Sequence, residues 1–209
     1  MLLDIFGAFT SLLSTYYFIR LDKRAWWVTL LATSLNAVLY WQNGIYADMT
    51  LEFFYFLSTF YGWYLWREPE NQKSSSIRSL SLKQGSFLII SVGILFFILE
   101  NLLSTLTNSN VALLDALTTS LSLAAQWLMC HKVITTWILW FITDALYAYM
   151  YFQKQLPFHG ILMILYTGMA IVGYLSWAKQ KANKNSEALQ EPQDRPFEEP
   201  QDRLRDYSA

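Results

Sequence analysis

Seven continuous apolar stretches limit what this chain can fold into more than any other feature, because a helix needs about 20 apolar residues to cross the hydrocarbon of a bilayer. They run roughly over residues 2–19, 25–41, 48–66, 85–106, 111–130, 133–152 and 157–178. Each is bounded by charges or turn formers. The runs are continuous rather than alternating, and a bacterial barrel takes an even number of strands, so strands are a poor alternative. The expected fold class is an all-α membrane protein with seven transmembrane helices. Composition agrees: of 209 residues, 54% are hydrophobic and 15% charged, against roughly 25% charged in soluble domains. A net charge of −1 gives no reason to expect a nucleic-acid partner. The opening Met-Leu-Leu-Asp lacks the basic region and small-residue cleavage site of a secretory signal, so the first stretch reads as a retained span. A single cysteine, Cys130, excludes an internal disulfide and reads as a small helix-packing residue.

Lys and Arg in short loops stay cytoplasmic, which orients the spans. One face collects Arg20, Lys23, Arg24, Arg67, Lys73, Arg78, Lys83, Lys132, Lys179, Lys181 and Lys184, whereas the other has Lys154 alone. The N-terminus is therefore expected outside and the C-terminus in the cytoplasm.

Sliding the chain against itself by 111 residues aligns its two ends without a gap. Asp4 falls on Asp115, Ser11 on Ser122, Trp26 on Trp137 and Gln42 on Gln153; Tyr55, Gly62 and Trp66 fall on Tyr166, Gly173 and Trp177. Leucine matches count for little, but a shared Tyr-x6-Gly-x3-Trp at one offset is hard to obtain by accident. The division follows: a first three-helix repeat over 1–66, a cytoplasmic connector over 67–84, a linker transmembrane helix over 85–107, a second three-helix repeat over 108–178, and a charged, proline-bearing tail over 179–209 expected to be disordered. Three spans reverse the face and the linker restores it, so the repeats run parallel. Parallel repeats bind substrate between the units, near mid-membrane.

Ionisable residues inside spans are expensive and mark candidate sites. Asp4, Asp48 and Asp115 sit at outer span ends and read as interfacial anchors; Glu100 reads as snorkelling outward. Glu52 lies one turn deeper, where it would line an outer vestibule. Asp144 lies halfway along the sixth span, too deep to snorkel, and needs a partner, water or a cationic ligand. Trp137, Trp140, Asp144, Tyr147 and Tyr151 recur at three- and four-residue steps and share one helix face. Asn36 and Gln126 add buried amides. An aromatic cavity with amides and one carboxylate suits a flat, cationic heterocycle through stacking and cation–π attraction. Trp41, Trp66 and Trp177 at span ends read as interfacial belts. Metalloprotease, hydrolase-elbow and phosphate-loop motifs are absent; the chain reads as no enzyme, without cofactor or metal, and His131 and His159 lie at opposite faces.

Together these residues resemble the PnuC family of bacterial vitamin transporters over about residues 2–179. The likeness rests on Gly44 to Asp48, Glu52 to Tyr55 and Tyr61 to Trp66 in the first half. In the second it rests on Ala125-Gln126, Lys132, Trp137-x2-Trp140-x3-Asp144, and Tyr166 through Gly173 to Trp177. The resemblance implies a three-plus-one-plus-three fold like that of SWEET sugar transporters, and facilitated uptake of nicotinamide riboside by alternating access, feeding NAD biosynthesis. The resemblance also implies that no ATP or ion is coupled and that a cytoplasmic kinase traps the vitamin. Trp137 and Trp140 would frame the heterocycle; Gln126, Asn36 and Tyr147 would bond a ribose-like part. Asp144 stands where many family members carry asparagine, and a carboxylate there favours a cation, nicotinamide riboside or thiamine, over neutral riboflavin. The expected partners are the vitamin, the lipid bilayer of the bacterial inner membrane and that kinase, and a homo-oligomer is compatible with all three. The competing readings are a thiamine carrier of the same family, or a non-transporting scaffold or sensor signalling through the tail.

Overall fold

The computed structural model describes residues 2–42, 46–67, 77–106, 112–153 and 157–190. The side chains of Asp4 and Asp48, together with Lys73, Lys154 and the tail from residue 191, lie outside the described residues. Among the described residues there are seven helices: α1 (Leu2–Ile19), α2 (Arg24–Gln42), α3 (Tyr46–Trp66), α4 (Leu82–Leu106), α5 (Ala112–Cys130), α6 (Thr136–Gln153) and α7 (Pro157–Gln190). The only β pairing among them is an isolated bridge between Arg78 and Val133.

α4, α5 and α7 are each long and apolar enough to cross a membrane by length and composition alone. α1 holds a shorter apolar run, Ile5–Ile19, and α2, α3 and α6 carry hydroxyls, amides and tyrosines that dilute their apolarity. Many of those polar groups point inward, Thr33, Thr59 and Thr143 among them, although Tyr64 and Tyr149 face out. The outer surface is apolar instead, with Phe87, Ile89 and Phe97 of α4 and Phe53, Phe54 and Leu57 of α3 all exposed. Apolar outside and polar inside is the reverse of a water-soluble protein, and it fits lipid as the solvent. Buried Ser and Thr return their hydroxyls to their own helix, as when Ser122 donates to the Thr118 carbonyl (2.7 Å) and Thr118 to the Leu114 carbonyl (2.9 Å). Their small size lets neighbouring backbones approach.

Helix packing closes a ring. α1 packs on α2, α2 on α3, α3 on α5, α5 on α6, α6 on α7, and α7 returns to α1, while α4 lies outside the ring against α5. The two seams between the halves are thus α3–α5 and α7–α1. Contacts recur at positions 111 residues apart. Trp26 and Trp66 meet edge-on at 5.4 Å, and Trp137 and Trp177 do so at 5.5 Å. The loops after α1 and α5 each turn through a left-handed residue, Leu21 (φ 54°) and Lys132 (φ 53°). Such residues commonly follow a helix C-terminus because they let the chain reverse, although glycine is the usual occupant.

Asp22 starts α2: its carboxylate accepts from the Arg24 backbone N–H (2.9 Å) and pairs with the Arg24 guanidinium (2.7 Å). That guanidinium holds the Asp22 carboxyl below the ordinary carboxylate range.

Two expectations need correction. Trp66 and Trp177 are not interfacial belts: both are at most 1% exposed and sit inside the ring. A span-end tryptophan can face lipid headgroups or turn inward, and here the partner helix offers its indole a carbonyl. Trp41, at 62% exposed, does lie on the surface. The expected tail also begins as helix, since α7 continues to Gln190, twelve residues past the apolar stretch ending at 178. Its Lys181 contacts Ser79 of the connector.

Candidate functional site

A cavity of about 1320 Å³ occupies the inside of the ring. All eight candidate residues line it: Asn36 from α2, Glu52 from α3, Gln126 from α5, and Trp137, Trp140, Asp144, Tyr147 and Tyr151 from α6. The α6 residues share the lining because their three- and four-residue spacing stacks them on one face.

Asp144 is 9% exposed, near the middle of α6, about 12 Å from its start at 1.5 Å per residue. Among the described residues its carboxylate has no hydrogen-bond or ion-pair partner, and the exposure it keeps opens on the cavity. The amides are tied up. Asn36 Nδ2 donates to Glu52 Oε1 (3.1 Å) and to Ser11 Oγ (3.4 Å), and Gln126 Nε2 donates to Ser58 Oγ (2.9 Å) across the α3–α5 seam.

The aromatic lining divides by burial. Trp140 is half-buried and stands 6.3 Å from Tyr55, ring to ring. Tyr147 stacks on Tyr151 at 6.1 Å, and Tyr151 lies 5.4 Å from His159. Trp137 is different: it is 2% exposed, wedged against Gly173 and Trp177, and its indole N–H has no partner among the described residues. It serves as floor and wall rather than as a free stacking plate. Trp140 and Tyr55 are better placed to hold a flat ring.

Tyr55, Tyr166, Ser11 and Ser122 also line the cavity and were not singled out as site residues in the sequence. Tyr55 lies beside Ser122 and Tyr166 beside Ser11, so each tyrosine reaches across a seam. Both pairs were already matched at the 111-residue offset, but an alignment tells which residues correspond, not which helices touch.

Among the described residues, three carboxyl groups (Glu52, Asp115 and Asp144) line the cavity with a single histidine and no Lys or Arg. A lining with carboxyl groups and no basic ones favours cations over anions. It is closed at the basic end by Phe18, Met129, Trp137 and Ala170, and reaches Tyr151 and His159 toward the other.

An apolar exterior, a ring of helices and a polar internal cavity with a buried unpaired carboxyl group fit a polytopic membrane carrier. The chain belongs to the nicotinamide mononucleotide transporter family, whose profile matches residues 1–179. Among relatives, it is 23% identical over 186 residues to the nicotinamide riboside transporter PnuC of Escherichia coli K12, covering 77% of this chain and 78% of that one. It is 27% identical over 146 residues to the protein of that name from Haemophilus influenzae, covering 66% and 62%. A solved structure described as the crystal structure of the vitamin B3 transporter PnuC superposes with a TM-score of 0.71 at 22% identity, covering 87% of this chain and 82% of that one. As a family member the chain is a multi-pass inner-membrane transporter and not an enzyme.

Proposed function

We propose that this protein carries nicotinamide riboside into the cell by facilitated diffusion. The family description speaks of the mononucleotide and the named relatives of the riboside. Charge decides between them. The riboside presents a pyridinium cation and neutral hydroxyls, whereas the mononucleotide adds a phosphate that must enter a cavity lined, among the described residues, by three carboxyl groups and no Lys or Arg. The observation that carries the reading is Asp144, a buried carboxylate that no described residue neutralises. In the bound state the pyridinium lies against Trp140 and Tyr55 with its charge toward Asp144, and the ribose faces Asn36, Gln126, Glu52, Tyr147 and Tyr151.

On this reading all seven helices span the membrane, as two parallel three-helix repeats joined by α4 in the SWEET manner. The paired contacts 111 residues apart support it, as does the passage of the substrate cavity between the halves. The end carrying Arg20, Arg67, Arg78 and Lys132 faces the cytoplasm, with the N-terminus outside. Substrate moves by alternating access, and phosphorylation by a cytoplasmic kinase adds the charge that this cavity rejects, which makes uptake one-way.

Purified protein in liposomes should take up nicotinamide riboside down its gradient with no added sodium or proton gradient. Isothermal titration should give binding to the riboside at least about tenfold tighter than to the mononucleotide, a difference of about 1.4 kcal/mol. Equal affinity for the two, or strict dependence on an ion gradient, would reject the assignment. Thiamine, also a cation, belongs in the same titration, and tighter binding of it would reassign the substrate.

A further inference from the structure

The ends of the two seams carry the same device. At α3–α5 the indole N–H of Trp66 donates to the carbonyls of Cys130 (3.0 Å) and Met129 (3.3 Å). At α7–α1 the indole N–H of Trp177 donates to the carbonyl of Phe18 (3.0 Å), and Ser176 Oγ donates to that of Ile19 (3.3 Å). The accepting carbonyls belong to the last turns of α5 and α1; those of Phe18 and Met129 also accept the backbone N–H of Leu21 (3.0 Å) and Lys132 (3.1 Å), whereas those of Ile19 and Cys130 lie where a helix runs out of its own donors. Each half therefore caps a helix of the other half, and both caps lie at the basic end. Trp66, Trp177, Trp26 and Trp137 pack there in one buried cluster with Phe18, Met129, Cys130 and Ala170. Phe18, Met129, Trp137 and Ala170 of that cluster are also the floor of the cavity.

We infer that Trp66 and Trp177 are the paired latch of the cytoplasmic gate, and that the carrier opens inward by releasing both seams together. The inference rests on the carrier reading above and adds to it which residues hold the exit shut. The cavity ends on these rings, so a substrate leaving toward the basic end must part them. Because the caps cross between halves and not within one, a rocking of one half against the other breaks both at once. Two further features fit a region built to rearrange. Trp26 and Trp137 keep buried indole N–H groups without partners among the described residues, an unsatisfied state that a second arrangement can relieve. A strap also crosses the closed end: Arg78 N–H donates to the Lys132 carbonyl (2.9 Å), Ile134 N–H donates to the Arg78 carbonyl (3.0 Å), and Ile77 is buried in the same cluster.

The protein carries its own reporter. Cys130, its single cysteine, is 1% exposed in the α3–α5 seam, with its thiol toward the Ser58 carbonyl. Full-length protein in right-side-out and inside-out vesicles is treated with a membrane-impermeant maleimide, without substrate, so that the result does not depend on which vitamin is carried. Trp66→Phe and Trp177→Phe keep a ring and remove the N–H. Each should raise the rate of Cys130 labelling about fivefold, the weight of one hydrogen bond in the gate equilibrium, and only from the basic end. Ser176→Ala, a milder change at the seam that does not hold Cys130, should raise it about twofold from the same end. Labelling at the wild-type rate in Trp177→Phe and Ser176→Ala would overturn the paired latch. So would faster labelling from both ends, which marks general loosening. Failure of nicotinamide riboside to bind would leave this assay intact and reject only the substrate.

Discussion

Asp144→Ala is expected to lose binding of the cationic riboside by about 2–5 kcal/mol while the protein still inserts and folds. Truncating one partner of a buried charge pair costs that much, because the ligand's charge is then desolvated without compensation. The sign of the stability effect is opposite. In the unliganded protein the carboxyl group is 9% exposed and unpaired among the described residues, so it burdens the fold, and its removal relieves a buried polar group. The variant should melt at the same temperature as wild type or higher in detergent, and nicotinamide riboside should raise the melting temperature of wild type alone. Asp144→Asn separates charge from shape: it keeps a polar group of the same size, and its loss should fall between those of wild type and Asp144→Ala. Wild-type affinity in Asp144→Ala would remove the carboxylate from the site and leave only stacking on Trp140 to explain binding. Stacking contributes about 1–3 kcal/mol per base by alanine substitution, so Trp140→Ala provides the comparison.

The spans were legible because lipid imposes a length and an apolarity that few other environments demand. The helices begin and end within about three residues of the apolar stretches, except at the C-terminal end of α7. That end was missed for a physical reason. Apolarity marks where lipid stops, but Ala178 to Gln190 is rich in Ala, Lys and Gln, good helix formers that carry the helix on into water. Asp144 was legible as well, since a carboxylate eight residues into a span cannot reach either surface. What the sequence left ambiguous was direction. Trp66 and Trp177 near span ends fit a lipid-facing belt as well as an inward N–H donor, and hydropathy scores both alike. The discriminating signal was the glycine four residues earlier in each case, Gly62 and Gly173. Without the helix order around the ring, its role as a seat for an indole could not be read. Trp137 and Trp140 pose the same difficulty: three residues apart on one face, one is packed as core and the other opens on the cavity.

Those two glycines set the largest expected effect on stability. A Cβ at Gly62 would lie 2.1 Å from Cη2 of Trp26 and 2.4 Å from two further ring atoms; one at Gly173 would lie 2.5 Å from Cδ2 and Cε3 of Trp137. Neither ring has room to retreat. Trp26 is 1% exposed and held edge-on by Phe18 at 4.8 Å as well as by Trp66. In an exposed helix, replacing glycine by alanine gains about 1 kcal/mol, but overpacking a filled core costs about 1–3 kcal/mol and sometimes more. The clash should win at both sites, and by more for Gly62→Val, where two methyl groups enter and the helical gain is smaller. Gly62→Val should therefore melt well below wild type or fail to yield monodisperse protein. The cause is space and not backbone freedom, because Gly62 lies inside α3. Shrinking the opposing side chain should then restore what the valine removed. The double variant Gly62→Val with Trp26→Leu should recover much of the lost stability, and Trp26 lies outside the lining of the cavity, so riboside binding should return with it. A double variant no better than Gly62→Val alone would mean that the ring is not what the valine meets.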